Sequence, residues 1–257
     1  MGLEVRTLAA TYYDGYHIEP HAHPWGQLIY AAEGVMRVHI ADQFWIVPPE
    51  RAIWAPAQTR HEIWAKGTFA MRTLYLAPRL GTLLAPEFRA LDVSPLLREL
   101  LLDIVRAGML DGTLPVHRRL IGVLIDQLRS TAVLPLSLKM PKDRRARAIA
   151  ERLQREPSDN TALPELARQA GASARTLQRI FQTETGLCFV EWRRRLRLLH
   201  GVALLGAGAS VTQAGFESGY ASTSSFIAAF RGEFGCTPAR LRASPDLAAR
   251  RAPSVPA

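Results

Sequence analysis

The chain has 257 residues, 48% of them hydrophobic, which allows one large domain or two small ones with a proper core. No apolar run approaches the roughly 18 residues that a membrane helix needs, which argues against a membrane protein. The first residues lack the basic and then apolar layout of a secretory signal. Two cysteines, Cys188 and Cys236, give no disulfide framework, so a cytoplasmic protein without a membrane partner is expected.

The net charge of +9 is confined to the second half of the chain. Residues 1–138 carry 13 Lys and Arg against 13 Asp and Glu, whereas residues 139–257 carry 19 against 10. One interpretation of this basic half is simply a solvated basic surface. A confined basic domain beside a neutral one is nevertheless typical of a protein with a polyanion partner, usually nucleic acid.

Residues 27–76 predict a series of short strands. Apolar runs of about 5–6 residues are broken by "EG", "ADQ", "PPE" and "KG", the pattern of an antiparallel barrel or sandwich. In "VMRVHI" (35–40), apolar and polar residues alternate, which predicts one buried face and one wet face.

From about Ser94 the apolar residues follow the i, i+3, i+4 period of amphipathic helices. One helix is predicted through 97–105 and a second after Pro115, through 120–128. These helices could pack against the barrel or form a dimer seam, and periodicity favours neither. Residues 86–138 are therefore expected to be a helical linker and a candidate dimerisation segment. "LPLSLKMPKD" (134–143) is predicted to be a linker that separates two independent folds.

The basic half contains an internal repeat. One copy begins at Ser173 and the other, 49 residues later, at Ser222. Each copy consists of a serine, two apolar residues four positions apart, a glutamate and a glycine. The serine suits a helix N-cap, the apolar pair shares one helix face, and the glycine suits a helix end. A short helix and a turn at Gly171 or Gly219 precede each copy. The repeat therefore predicts two helix-turn-helix units.

Between the two copies, residues 189–205 predict one helix of about 25 Å, at about 1.5 Å per residue. Such a spacer can hold two reading helices about one duplex turn, roughly 34 Å, apart on one side of the DNA. Its arginines occupy more than one face, and the sequence assigns none of them a role: Arg193, Arg194, Arg195 and Arg197.

The stretch from Asp143 to Arg242 resembles the DNA-binding domain of the AraC/XylS transcriptional regulators. The resemblance covers about 100 residues, through "LARQAGASARTLQRIFQTETG" and "GYASTSSFIAAFRGEFGCTPARLR", with the closing FGxTPxxxR pattern. It implies that the helix from Ala174 reads a major groove and that promoter or operator DNA is the partner. The side chains then expected to point at the DNA are Arg175, Thr176, Gln178 and Arg179, and in the second unit Thr223, Ser224 and Ser225. The second set offers fewer hydrogen bonds, so base discrimination should depend mostly on the first helix.

The N-terminal half resembles a small cupin barrel over residues 12–77. Gly15-x5-His21-x-His23-x3-Gln27-x6-Gly34 is similar to the first cupin motif, with glutamine in place of the usual glutamate. "PAQTRH" is similar to part of the second motif and supplies His61. Gln58 and Ala65 replace its glycine and asparagine. Related barrels are the effector domains of sugar-sensing AraC-family members.

His21 and His23, two residues apart on a strand, are expected to face one lumen. His61 could complete a set of three imidazoles and Gln27 could add an amide oxygen. These residues suit one divalent transition metal ion, whether Zn, Ni, Co, Cu or Fe. The glutamine removes one negative charge and should weaken metal binding. Three interpretations remain: a metal that helps to sense a ligand, a metal-free pocket for an organic effector, and barrel packing.

Together these patterns predict an α+β, two-domain protein. The expected parts are a cupin-like sensor barrel of antiparallel strands (1–85), a helical linker (86–138), an all-α double helix-turn-helix domain (139–243) and a disordered tail (244–257). The leading hypothesis is a sequence-specific transcriptional regulator, not an enzyme, that responds to a small molecule or metal. The alternatives are a cupin metalloenzyme, such as a dioxygenase or isomerase, tethered to a DNA-binding module, and an unregulated architectural DNA binder.

Overall fold

The first half of the chain forms strands where its apolar and polar residues alternate. The computed structural model describes residues 2–65 and 67–242. The strands are β1 (Leu3–Tyr12), β2 (His17–His21), β3 (Gly26–Glu33), β4 (Met36–Ile40), β5 (Gln43–Val47), β6 (Arg51–Ala55), β7 (His61–Ala65), β8 (Phe69–Leu76), β9 (Arg89–Asp92), β10 (Met109–Asp111), β11 (Val133–Leu134) and β12 (Ser137–Lys139).

These strands pair in two antiparallel sheets. One has the order β10-β1-β8-β3-β6-β9-β11 and the other the order β12-β5-β4-β7-β2. Because successive side chains of a strand point to opposite faces, alternate residues such as Val38, Ile63 and Met71 fill the core between the sheets. The expected α+β fold is confirmed, and its first part is a cupin-like two-sheet sandwich.

The helices are α1 (Pro78–Gly81), α2 (Pro95–Ala107), α3 (Pro115–Ser130), α4 (Arg144–Arg155), α5 (Leu163–Gln169), α6 (Ala174–Thr185), α7 (Phe189–Gly206), α8 (Val211–Glu217), α9 (Thr223–Phe234) and α10 (Pro238–Arg242). No helix within the described ranges is both long and apolar enough to cross a membrane.

Helices α2 and α3 cover the outer face of the larger sheet. Leu97, Leu101 and Leu124 pack there with Leu28 and Leu74 in a second hydrophobic cluster. The buried faces of both helices therefore pack against the sandwich, as one of the two interpretations proposed. The segment 86–138 is more than a helical linker, because β9, β10 and β11 add strands to the larger sheet.

The expected linker, residues 134–143, is not a free tether. Ser137, Leu138 and Lys139 pair with β5 as an edge strand of the smaller sheet. Leu138 and Met140 are buried in one hydrophobic cluster that continues from the sandwich into the helical half. The expectation that the linker separates two folds is therefore wrong. The two prolines suggested a break, but Pro135 and Pro141 flank this edge strand, where a proline removes no ladder hydrogen bond.

The helical half follows the predicted repeat. The hydroxyls of Ser173 and Ser222 accept hydrogen bonds from backbone N–H groups at 3.1 and 3.2 Å, which caps α6 and α9. Both helices end at a glycine in the left-handed region, Gly186 with φ 80° and Gly235 with φ 68°. The expected disorder of residues 244–257 lies outside the described residues.

Candidate functional site

The first helix-turn-helix unit is formed by α5, a turn at Gly171 and α6. Gly171 has φ 66°, a conformation that glycine adopts without strain. The unit buries one face of α6 against α7 and leaves the opposite face open. Leu177, Ile180 and Phe181 lie on the buried face. Arg175, Gln178 and Arg179 are exposed and Thr176 is half-buried.

The exposed side chains of α6 have no partners within the protein. In residues 2–65 and 67–242, no hydrogen bond or ion pair involves the side chain of Arg175, Gln178 or Arg179. Thr176 differs, because its hydroxyl lies 2.9 Å from that of the N-cap Ser173. Two guanidinium groups and one amide are therefore free to bind an external ligand.

The arginines of the spacer helix α7 are different, because each of them has partners in the protein. Arg193 donates to the carbonyl oxygen of Thr161 at 2.8 Å, and Arg194 and Arg195 form ion pairs with Glu233. Arg197 has the most contacts. These four arginines mainly stabilise the domain.

Arg197 joins the two helix-turn-helix units. Its guanidinium donates to the carbonyl oxygens of Pro157, Asp159 and Gly219 and to the Asn160 amide oxygen, at 2.8–3.3 Å. Gly219 is in the turn of the second unit, and the other three acceptors precede α5 of the first. Burial lowers the pKa of Arg197 below its ordinary value. Arg197 therefore holds both units on the spacer helix.

The second unit, formed by α8, a turn at Gly219 and α9, presents fewer polar groups. Ser224 is exposed. The Ser225 hydroxyl donates to the carbonyl oxygen of Ser222 at 2.8 Å, and the Thr223 hydroxyl lies 3.5 Å from that of Thr212. Part of the expected hydrogen-bonding set is thus already used inside the protein.

Three histidines of the N-terminal half, His21, His23 and His61, lie together between the two sheets. One ring nitrogen from each of His21, His23 and His61 lies within 4.8 Å of the other two. His21 ends β2 and pairs in register with His61, which begins β7. His23 lies in the turn after β2, so the expectation that it shares a strand with His21 is wrong. The turn before β3 brings it back to the site. We call these three residues and Gln27 the histidine site.

Backbone carbonyl groups orient all three imidazoles. The Nδ1 atoms of His21, His23 and His61 lie 2.8, 2.5 and 2.9 Å from the carbonyl oxygens of Glu19, Trp25 and Thr59. A carbonyl oxygen can only accept a hydrogen bond, so in the neutral imidazole Nδ1 carries the proton and Nε2 presents a lone pair. Burial lowers the pKa of His61 to about 4, so this imidazole is neutral near pH 7.

Gln27 adds a fourth acceptor. Its amide nitrogen donates to the Thr73 hydroxyl at 3.0 Å, and that hydroxyl donates to the carbonyl oxygen of Leu28. The amide oxygen must then point at the Nε2 atoms of His23 and His61, at 2.8 and 3.1 Å. The lone pairs of the Gln27 amide oxygen therefore face those of the two Nε2 atoms, in a site where Gln27 and His61 are each 1% exposed. Such a cluster is costly unless a cation or a donor from a ligand joins it.

Sequence reasoning missed Thr73, Tyr75 and Phe88. The Tyr75 ring is 5.2 Å from that of His23, and the Phe88 ring lies 6.1 Å from His61 and 5.7 Å from Trp45. Strand alternation on β8 places Thr73 and Tyr75 on one face and could have found them. Phe88 comes from the loop before β9, and no periodic signal marks it.

Both halves of the chain match known protein families. Residues 5–114 match the family model described as AraC-like ligand binding domain, and residues 166–244 match one described as helix-turn-helix domain. The HTH-type transcriptional regulator NimR of Escherichia coli K12 is 32% identical over 220 residues, which cover 86% of this chain and 80% of that protein.

Two further proteins are similar to parts or to the whole of the chain. The HTH-type transcriptional regulator RipA of Corynebacterium glutamicum is 43% identical over 99 residues, 38% of this chain and 30% of that protein. A structure of ToxT from Vibrio cholerae with an unsaturated fatty acid bound covers 92% of this chain and 93% of its own, at 12% identity and a TM-score of 0.38.

Proposed function

The chain belongs to the AraC family of transcriptional regulators, with a helix-turn-helix domain and an N-terminal AraC-like ligand-binding domain, and we propose that a divalent transition metal in the histidine site helps it to sense a ligand. Binding of that ligand then controls its effect on transcription. The relatives are transcription regulators, not enzymes. The alternative of a cupin metalloenzyme is therefore wrong. The proposed place of action is the cytoplasm, where promoter DNA is available.

Within the regulator, α6 is proposed as the principal reading helix, inserted in a major groove. Arg175 and Arg179 suit guanine and Gln178 suits adenine, because their groups match the donor and acceptor edges of those bases. Thr176 is proposed to assist them. The free state of these three long side chains supports the assignment, since no intramolecular bond has to break before they meet a base.

Helix α9 is proposed as the second reading helix, with the weaker base discrimination. Thr223, Ser224 and Ser225 are the candidate contacts. Their short hydroxyl side chains, two of them bonded within the protein, suit phosphate oxygens or a single base edge better than a bidentate contact. The 18 residues of α7 span about 27 Å, which supports two reading helices about one turn of DNA apart.

The proposed functional parts are a sensor (1–85), a segment that extends it and dimerises (86–138) and a DNA-binding domain (139–243). A partly exposed apolar stripe on α3, whose middle residue Leu120 also packs against the second hydrophobic cluster, supports the homodimer. Val116, Leu120 and Val123 repeat with the 4 and 3 spacing of a coiled-coil seam, and Val116 and Val123 are 56% and 44% exposed. The proposed partner for the stripe is the same helix of a second copy.

The proposal of a metal depends on one observation: four acceptor atoms converge in the histidine site with their orientations already fixed. Carbonyl groups that bind Nδ1–H of an imidazole are the usual outer partners of a metal-ligating histidine. A metal would have its ligands at about 2.0–2.2 Å, which needs a small inward movement of the three rings. The metal-free alternative is an organic effector that donates hydrogen bonds to the same atoms.

Elemental analysis of gently purified protein distinguishes the two. We expect one transition metal per chain in the wild type and none in a His23→Ala, His61→Ala double variant. His39→Ala is the matched control, because His39 lies on the outer face of the same sheet beside Glu62. A wild type that stays metal-free after exposure to Zn, Ni, Co, Cu and Fe would favour the organic effector. Gel-shift assays with DNA upstream of its own or a neighbouring gene test the regulator itself.

A further inference from the structure

A cavity lies on the opposite face of the larger sheet from the histidine site. It has a volume of about 160 Å³ and lies between β6, β9, β11 and the C-terminal end of α3. The side chains that form its apolar wall are Trp54, Leu83, Leu84, Leu91, Leu128 and Val133. We call it the rear cavity.

The volume and lining of the rear cavity suit one six-membered ring. Enclosed apolar cavities of about 150 Å³ bind benzene; the rear cavity has a similar volume but is partly open, because Leu83 and Val133 in its wall are 51% and 53% exposed. The indole of Trp54, which is 2% exposed, is fixed in the wall because its N–H donates to the carbonyl oxygen of Ala85 at 2.8 Å. Because so little of the indole is exposed, a ring in the cavity packs mainly against the aliphatic side chains of Leu83, Leu84 and Val133.

The charges at the rim of the cavity indicate an anionic group on that ring. Arg89 and Arg129 both line the cavity. Arg89 is already bonded to the Glu87 carboxylate at 2.9 Å. Arg129, in the last turn of α3, has no hydrogen bond or ion pair anywhere in the described ranges 2–65 and 67–242. Its planar guanidinium can therefore take a carboxylate through two parallel hydrogen bonds.

The cavity wall is connected to the DNA-binding half by a short piece of chain. Val133 pairs with Leu91 in the wall, and only two residues, 135 and 136, separate β11 from the edge strand β12. Helix α7 binds this piece: Arg195 donates to the carbonyl oxygen of Pro135 at 3.4 Å and the indole of Trp192 donates to that of Lys139 at 2.8 Å. A molecule that stabilises β11 thus acts on residues 135–139, the segment that α7 contacts.

We propose that the rear cavity is a second effector site, separate from the histidine site, that binds a small aromatic carboxylate. The ring lies against Leu83, Leu84 and Val133, beside Trp54, and the carboxylate binds Arg129. Occupation stabilises the β9–β11 pair, and through residues 135–139 it changes how α7 holds the two reading helices. This inference does not depend on a metal in the histidine site.

The full chain is titrated with benzoate as the probe. Binding is measured by calorimetry and by the NMR resonance of the Trp54 indole N–H. We expect saturable binding of one benzoate per chain, a shift of the Trp54 resonance and a changed affinity for DNA. Arg129→Gln should weaken binding by about tenfold or more, since a charge-assisted hydrogen bond is lost. Arg118→Gln, on the same helix and outside the cavity, should not. Benzyl alcohol, of similar size but neutral, should bind more weakly than benzoate.

Several results would overturn the proposal. These are the absence of saturable binding, equal affinity in Arg129→Gln and Arg118→Gln, or a shift of other indole resonances without that of Trp54. Binding that leaves the affinity for DNA unchanged would remove the effector role. Because the variants alter only exposed arginines, both should fold like the wild type.

Discussion

Arg179→Ala should weaken the recognition of specific DNA and leave the stability of the protein almost unchanged. Arg179 is exposed on α6 and has no partner in the described residues, so its removal should change the free energy of unfolding by less than about 0.5 kcal/mol. On specific DNA the loss of a bidentate contact to guanine should cost about 1–3 kcal/mol. That range corresponds to a roughly 5- to 150-fold rise in Kd.

The assay is fluorescence anisotropy at one fixed salt concentration. The specific duplex is first selected from a random library with the wild-type protein, and a scrambled duplex of the same length serves as the reference. We expect a large loss on the specific duplex, a small loss on the scrambled one and relaxed preference at one base pair. Equal losses on both duplexes would show that Arg179 contacts phosphate and would refute the reading role.

Arg197→Ala should destabilise the protein by about 2–3 kcal/mol and lower Tm by roughly 5–10 °C, because four acceptors lose their donor; an unchanged melting curve would contradict this role. Val123→Glu should shift a dimer towards monomer in light scattering, and a wild type already monomeric at micromolar concentration would exclude the α3 seam. The affinity of the full chain for DNA should fall with a log–log salt slope of about −0.9 per phosphate contact, and an affinity insensitive to salt would contradict electrostatic binding by the basic half.

The helical half could be predicted in detail because its signals are local. Serine caps, glycine ends and apolar pairs four residues apart depend on neighbours within one or two turns. Ser173, Gly186 and their repeats at Ser222 and Gly235 therefore appear where the sequence placed them. Whether an arginine is free is not a local property. Arg179 and Arg197 look alike in the sequence, and only the fold brings Gly219 and Asp159 to Arg197.

The N-terminal half was predictable in type but not in assembly. Alternation predicts strands, and the motif predicts that the histidines meet, but strand order depends on long-range pairing. Strand β12 shows the limit: "SLK" between two prolines is too short to give a periodic signal, yet it pairs with β5. The acceptor set of the histidine site also needed the fold, because Thr73, distant in sequence, fixes the orientation of the Gln27 amide.

A hydroxyl-radical footprint of the full chain on its selected duplex tests whether this regulator reads DNA with two helices held by one spacer. We expect two protected patches on one face of the DNA, about 10 base pairs apart, with Arg179→Ala weakening the patch under α6 and leaving that under α9. A single patch, or protection that does not depend on the DNA sequence, would contradict the claim.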